Sequence, residues 1–235
     1  MLITTPGLVL HTIPYAETST IAKVFTRHLG VQSYIVKGAR GRTSRNRQSI
    51  LQPLSCIDMV VYDSGHSTLH HVKEITLKHP SSYDDHVGNA LRFFEAEVLY
   101  KTLQEGEPYP SLWDYTENII YCNQPQPVAV TPLLFMLTVA HHLGIEPLDN
   151  HTPHTPFFDL QEGRYVACQT EYTASPTLSS MLHRFQQSLA CDTTIPHYSL
   201  QERNNLLDML IAYFQLHLSG FNKFNSHIIL HTIFT

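Results

Sequence analysis

Five short segments with strand character are concentrated in the first 80 residues, and they most strongly limit the possible folds. Each combines β-branched or alternating apolar residues with a turn signal at its end. The predicted strands span residues 2–13, 21–27, 31–36, 54–62 and 68–77. Five strands in so short a stretch are typical of a small closed or partly open barrel, for which the OB-fold is the leading candidate.

The rest of the chain has the periodicity of helices. Apolar residues recur at helical spacing from residue 82 onward, interrupted by a small β-hairpin predicted near 157–168, around Glu162-Gly163. Three pairs resemble helix starts: Ser111 with Asp114, Thr131 with Pro132, and Ser199 with Glu202. We therefore expect an α+β protein, with an N-terminal OB-fold β-barrel followed by a mostly helical C-terminal domain.

The formal charge changes sign where the strands give way to helices. Residues 1–79 hold nine Lys/Arg and four Asp/Glu, a net charge of +5. Residues 80–235 hold six Lys/Arg and sixteen Asp/Glu, a net charge of −10. A basic module joined to an acidic one favours a polyanionic partner for the first part only, chance unevenness being the alternative. We predict a basic OB-fold over 1–79 that binds a polyanion and an acidic helical domain over 80–235 that binds protein partners.

Composition excludes several other classes of protein. Of the 235 residues 43% are hydrophobic and 15% charged, which argues against general disorder. No apolar run reaches the length of a transmembrane helix, so we expect no membrane association, and the N-terminal sequence lacks the features of a signal peptide. The four cysteines are widely spaced and form no CxxC pair, which favours a reducing, cytoplasmic compartment.

A basic loop is the strongest candidate site. It contains the polar segment ARGRTSRNRQS at 39–49. Five cations lie within the eleven residues 37–47: Lys37, Arg40, Arg42, Arg45 and Arg47. Arginine binds phosphate through two parallel hydrogen bonds, and small polar residues between the arginines leave the loop free to follow a nucleic-acid backbone. The alternative is a solvated surface loop.

Four further residues are candidates to extend this nucleic-acid site. Lys23 and Arg27 are predicted to enlarge the basic patch, with ordinary exposed charge as the alternative. Tyr34 and Tyr62 are candidate platforms on which bases could stack, although the sequence does not fix which face of the sheet they occupy.

The sequence favours a binding protein over an enzyme. It contains no HExxH, GxSxG, P-loop or GxGxxG motif, and no nucleophile–base pair stands out, so we predict no catalytic residues and no cofactor. Sixteen histidines include the pairs His70-His71 and His141-His142 and the segment His151-Thr152-Pro153-His154. Adjacent histidines diverge on a strand or helix, so we predict no metal site, with a histidine-based metal enzyme as a further alternative.

Taken together, several segments resemble the N-terminal domain of RecO, a family of bacterial DNA repair proteins that act as recombination mediators. The matching features are Gly7–Leu10, Tyr15-Ala16-Glu17, Phe25-Thr26 with Gly30, Lys37-Gly38-Ala39-Arg40 and Leu51-Gln52-Pro53. Looser similarity continues through Leu143-Gly144, Phe157-Phe158-Asp159 and the segment from Tyr213.

The resemblance implies an OB-fold, a helical domain, binding of single- and double-stranded DNA, and annealing of complementary strands. It implies partnership with RecR and with single-stranded DNA-binding protein, so that the RecA recombinase loads on coated DNA, in the cytoplasm and at the nucleoid during repair. The DNA-contacting positions carry over to Lys37 and Arg40, and then to Arg42, Arg45 and Arg47. A protein-interaction adaptor that does not bind DNA is the alternative function.

Two features depart from the pattern of the family. Some members carry a four-cysteine zinc motif, whereas residues 145–177 contain only Cys168. Many members bind the acidic tail of single-stranded DNA-binding protein through the helical domain. The net charge of −10 over 80–235 works against an acidic ligand here.

Overall fold

The structure, a computed structural model, describes residues 1–39, 49–62, 68–78, 85–121, 128–191 and 194–233. The chain divides into two compact units, Met1–Pro125 and Gln126–Thr235.

Five strands close into a barrel in the first unit. They are β1 (Leu2–Tyr15), β2 (Ser19–Thr26), β3 (Gly30–Val36), β4 (Cys56–Tyr62) and β5 (Leu69–Leu77). Their order is β1-β2-β3-β5-β4; β1 pairs with β4, and β3 pairs in parallel with β5. This is the strand order of an OB-fold, so the predicted strands and the predicted fold class are confirmed.

The barrel is filled by side chains that point inward from every strand. Val9, Val24, Ile57 and Met59 are fully or almost fully buried in this core. Val36 of β3 joins them, as do residues on both sides of the predicted basic loop. The interior is therefore packed solid, so a nucleic acid can reach only the outer surface and the loops.

Two helices belong to the same unit as the barrel. They are α1 (His86–Thr102) and α2 (Pro110–Tyr121), and contacts between α1 and β1 help to hold them against it. The unit therefore extends beyond the expected boundary at 79/80, because α1 and α2 bury their apolar faces on the strands. Counted over 1–125, eleven Lys/Arg face twelve Asp/Glu, a net charge of −1.

The start of α2 differs from the expectation. Ser111 and Asp114 were predicted to form a capping box, but the helix begins one residue earlier, at Pro110. Proline suits the first turn because it has no N–H to leave unsatisfied. The Asp114 carboxylate is instead bound by a barrel arginine.

The second unit is helical with one small hairpin, as predicted. A 3₁₀ turn (Val128–Val130) leads into α3 (Thr131–His142), and strands β6 (Phe157–Asp159) and β7 (Arg164–Val166) form the hairpin. The remaining helices are α4 (Pro176–Ala190), α5 (Leu200–His217) and α6 (Ser226–Ile233). None of the described helices combines the length and apolar composition that crossing a membrane requires.

The caps of the second unit match the sequence in part. Ser199 and Glu202 form the predicted capping box at the start of α5, each side chain bonding the backbone N–H of the other. Thr131 is not the cap of α3 but its first residue, and Val130 before it offers no side-chain hydrogen bond. The core of this unit includes aromatic side chains, with the ring centroids of Phe158 and Tyr213 5.8 Å apart.

Candidate nucleic-acid interface

The predicted basic loop is held at both ends by the barrel. Its arginines, Arg40, Arg42, Arg45 and Arg47, lie outside the described residues. On one side of them Ala39 is fully buried in the barrel core, and on the other side Leu51 is buried in the same core. Lys37 is exposed at the end of β3, next to this anchored segment. The cationic segment therefore begins and ends on the barrel.

Lys23 faces a carboxylate and not open solvent. Its ammonium group forms an ion pair with Glu105, in the connection between α1 and α2, and only 19% of its side chain is exposed. Burial also lowers the pKa of Lys23. The backbone beside this pair is tied to the barrel, because Gly106 N donates to Val31 O at 3.0 Å. The prediction that Lys23 extends an open basic patch is wrong for this conformation.

Arg27 is likewise engaged by the helices. Its Nε and Nη2 donate to the two carboxylate oxygens of Asp114 at 2.7 and 2.8 Å. These paired bonds raise the pKa of Arg27 and lower the pKa of Asp114. A bidentate pair occupies the donors that would otherwise bind phosphate, so Arg27 does not present them to a ligand in this conformation.

A third ion pair, not anticipated from the sequence, joins the residue after β5 to α2. Lys78, directly after β5, places its Nζ 2.8 Å from Glu117 Oε1, which raises the pKa of Lys78. Trp113, Glu117 and Tyr121 follow one another four residues apart on α2 and so face the barrel together. Trp113 Nε1 donates to Phe25 O at 3.1 Å.

The hydrogen bonds of Tyr121 complete this contact. Its hydroxyl accepts from Cys56 N at 2.7 Å and donates to Leu54 O at 3.2 Å. Burial raises the pKa of Tyr121 to about 12 and that of the Cys56 thiol to about 12, so both groups stay protonated at neutral pH. We call the surface where Glu105, Asp114, Glu117 and Tyr121 meet the barrel the helix-covered side.

Of the two candidate stacking residues, one is buried and one exposed. Tyr34 is 1% exposed, within the barrel core, with its ring centroid 5.7 Å from that of His70. The prediction that Tyr34 stacks on bases is therefore wrong in this conformation, because no base can reach the ring. Tyr62, at the end of β4, is 50% exposed and lies opposite Leu2 in the sheet.

The histidine pairs do not converge with other ligands in the described part of the chain. Within those residues no group of three or more His, Cys, Asp or Glu side chains is placed to hold a metal ion. His141 and His142 are in edge-to-face contact, and His141 Nδ1 lies 2.6 Å from a carboxylate oxygen of Glu146. Cys168 is exposed.

Comparison with known proteins agrees with the barrel and extends past it. A family model described as "Recombination protein O N terminal" matches residues 1–81. DNA repair protein RecO of Flavobacterium psychrophilum is 28% identical over 244 residues, covering 100% of both chains. Over its whole length the chain is therefore similar to RecO DNA repair proteins.

Further RecO relatives show the same full-length similarity. DNA repair protein RecO of Flavobacterium johnsoniae is 28% identical over 239 residues, and that of Porphyromonas gingivalis is 28% identical over 244. In each case the match covers 100% of both chains. The similarity to RecO therefore includes the helical unit as well as the barrel, as the order of predicted elements indicated.

Proposed function

We propose that this chain, as a RecO-type DNA repair protein, binds single- and double-stranded DNA through its barrel and anneals complementary strands. With RecR, it then helps to load RecA on DNA coated by single-stranded DNA-binding protein. It acts without a covalent step, as a mediator and not an enzyme, in the bacterial cytoplasm and at the nucleoid during repair. The full-length similarity to RecO proteins and the OB-fold support this proposal.

The proposed DNA site is Lys37 together with the arginines of the basic loop. The observation that carries it is the anchoring of this cationic segment between buried Ala39 and buried Leu51, which fixes its ends to a rigid barrel. Fixed ends reduce the conformational freedom that the loop loses on binding. Lys23 and Arg27 are left out of the site, because carboxylates of the same unit already pair with them.

Annealing follows from the neutralisation of phosphates. Two complementary strands repel one another through their backbones, and each phosphate paired with Lys or Arg reduces this repulsion and releases counterions. The net charge of −1 over 1–125 means that DNA is held by a local group of cations and not by the field of a uniformly basic domain. Binding is therefore expected to depend steeply on salt.

Protein partners are proposed to bind away from the basic loop. The segment 126–235 holds four Lys/Arg and eight Asp/Glu, a net charge of −4. This charge works against direct capture of an acidic tail. We therefore propose that the chain contacts single-stranded DNA-binding protein chiefly through the DNA that this protein coats. RecR is proposed to bind the chain directly.

The test is fluorescence anisotropy of a labelled single-stranded oligonucleotide at about 50 and 200 mM salt, the range in which phosphate contacts are evident. We expect the variant with Arg40, Arg42, Arg45 and Arg47 changed to alanine to lose most of its affinity and most of its salt dependence. The control changes Arg164 and Arg184, exposed arginines of the second unit, to alanine. Equal affinity in both variants would refute the loop assignment, and absence of binding by the native chain would favour the adaptor function.

A further inference from the structure

We propose that the second unit carries a binding groove for a short segment of a partner protein that combines lysine or arginine with large apolar side chains. The groove lies between α4, α5 and residues 171–175, and we call it the α4–α5 groove. It has a volume of about 720 Å³ and is open to solvent along its length. It belongs to the second unit, whereas the residues assigned to DNA belong to the first.

The floor and walls of the groove are apolar. Met181 of α4 and Met209 of α5 lie at its base, each almost fully buried. Methionine side chains are flexible and polarisable and adapt to differently shaped apolar ligands. Tyr172 and Leu216 also line the groove and remain 39% and 47% exposed. Two large apolar side chains left exposed beside a buried floor are typical of a surface that a ligand covers.

One face of α5 supplies a full side of the groove. Asn205, Met209, Ala212 and Leu216 follow the spacing of a single helical face. Leu206, Leu210 and other buried core residues lie on the remaining faces of α5. Ala212 and Leu216 line the groove but are not among the buried residues of the helix, so they are additional to those that α5 needs for packing within its own unit.

The rim of the groove is acidic. Glu171, Glu202 and Asp208 line it, and the described lining includes no lysine or arginine. Hydrogen bonds from the hydroxyl and backbone N–H of Ser199 lower the pKa of Glu202, so this carboxylate is charged at neutral pH.

Cations of the unit compensate this charge only in part. Arg184 and His197 lie close enough to Glu202 to lower its pKa slightly further, and His231 Nε2 lies 3.3 Å from Asp208 Oδ1. Glu171 is exposed at the end of the groove nearest Tyr172. The rim therefore keeps a net negative charge when all three carboxylates are ionised.

This combination selects one kind of occupant. An acidic peptide or a nucleic acid would bring its negative charge against three carboxylates, so both are disfavoured. A segment with lysine or arginine beside leucine, isoleucine or phenylalanine would match the rim and the floor together. The basic loop of a second copy does not fit, because residues 40–48 contain no large apolar side chain.

The experiment selects peptides from a random twelve-residue library displayed on phage, with the full chain as target. Synthetic copies of the selected peptides are then titrated by anisotropy against the native chain and variants. We expect selected peptides to carry net positive charge and at least one large apolar residue. We expect Leu216→Ser, and Glu171→Gln combined with Asp208→Asn, each to weaken their binding about fivefold.

Two matched controls separate the groove from general effects. Leu189→Ser changes an apolar residue of α4 that is 40% exposed but does not line the groove. Glu162→Gln removes an exposed carboxylate elsewhere in the unit. Both should leave peptide affinity unchanged, and every variant should keep the circular dichroism spectrum and the DNA affinity of the native chain.

Three results would overturn the proposal. The first is selection of acidic peptides, or of none. The second is binding that the groove variants do not weaken more than the controls do. The third is a concentration-dependent dimer in analytical ultracentrifugation that Leu216→Ser abolishes, which would assign the groove to a second copy of the chain.

Discussion

Two sets of described cations in the barrel unit differ in what they face. Lys23, Arg27 and Lys78 meet carboxylates on the helix-covered side, whereas Lys37 is exposed next to the anchored basic loop. The two groups have the same residue types and lie close together in the sequence. The comparison shows that the net charge of a linear segment overstates the charge available to an anionic ligand, because residues later in the chain neutralise part of it.

The largest expected effect comes from opening the helix-covered side. Gly30 has a φ of +66°, and a Cβ at this position would lie 2.2 Å from Glu107 O. Gly30→Ala is expected to lower the free energy of unfolding by about 3 kcal/mol or more, through backbone strain and this clash. Thermal unfolding followed by circular dichroism measures the loss.

Gly144→Ala is the matched control for Gly30→Ala. Gly144 also has a positive φ, +70°, but a Cβ there meets nothing within 4 Å. Only the backbone strain remains, so a loss of about 1–2 kcal/mol is expected. Equal losses in the two variants would mean that the contact between Gly30 and the connection to α2 is dispensable.

The second effect concerns Glu95, a buried carboxylate of α1. Glu95 is fully buried, and neither carboxylate oxygen has a hydrogen-bond partner among the described residues. Burial raises the pKa of Glu95 to about 8, against a smaller lowering by Arg92. Between pH 4.5, the ordinary pKa of a glutamate, and about pH 8, the folded state holds a proton that the unfolded state releases. Stability therefore falls as pH rises through this range, by at most about 1.4 kcal/mol per pH unit.

Glu95→Gln is expected to remove this dependence on pH. At pH about 5 the variant and the native chain should be similarly stable, whereas above pH about 8 the variant should be more stable by about 3 to 4 kcal/mol. Urea unfolding at both pH values measures the difference. Glu74→Gln, at an exposed carboxylate of β5, is the control. A stability difference that does not change with pH would contradict the buried, protonated state of Glu95.

The third effect contrasts the two groups of cations directly. Lys37→Ala is expected to weaken DNA binding about threefold at low salt and to reduce the slope of log affinity against log salt by about 1. Lys23→Ala should change affinity little, because its ammonium is already paired with Glu105. Anisotropy titrations over a range of salt concentrations test both. Equal losses would show that DNA displaces Glu105 from Lys23.

The smallest effect is a gain. Asp114→Asn removes the charge that holds Arg27 and should raise DNA affinity about twofold at low salt. Adding Arg27→Ala to this variant should cancel the gain, which separates a released arginine from a general change of charge. A gain that persists in the double variant would assign the effect to the lost carboxylate alone.

Sequence patterns predict the strands and helices well because the signals are local. Alternation identifies β3, and the Ser199–Glu202 pair fixes the start of α5 within four residues. The ion pairs could not be predicted in the same way. Arg27 and Asp114 are 87 residues apart, and no local pattern indicates that one will meet the other.

The position of Tyr34 shows a different limit. Both alternating faces of β3 carry apolar residues, and in the structure nearly all of β3 is buried on both faces. Periodicity alone could therefore not say whether the ring points into the barrel or out of it. The burial of Ala39 and Leu51 on either side of the basic loop could not be predicted either, because alanine and leucine beside a polar loop do not by themselves indicate burial.

The contact of Trp113 with Phe25 gives the molecule a built-in spectroscopic reporter. Trp113 is the only tryptophan in the chain, it is almost fully buried, and the Lys78 ammonium lies 5.6 Å from its ring centroid. Intrinsic emission therefore arises from a single indole at the place where α2 meets the barrel. A red shift of that emission would signal separation of α2 from the strands, in unlabelled protein and on the timescale of mixing.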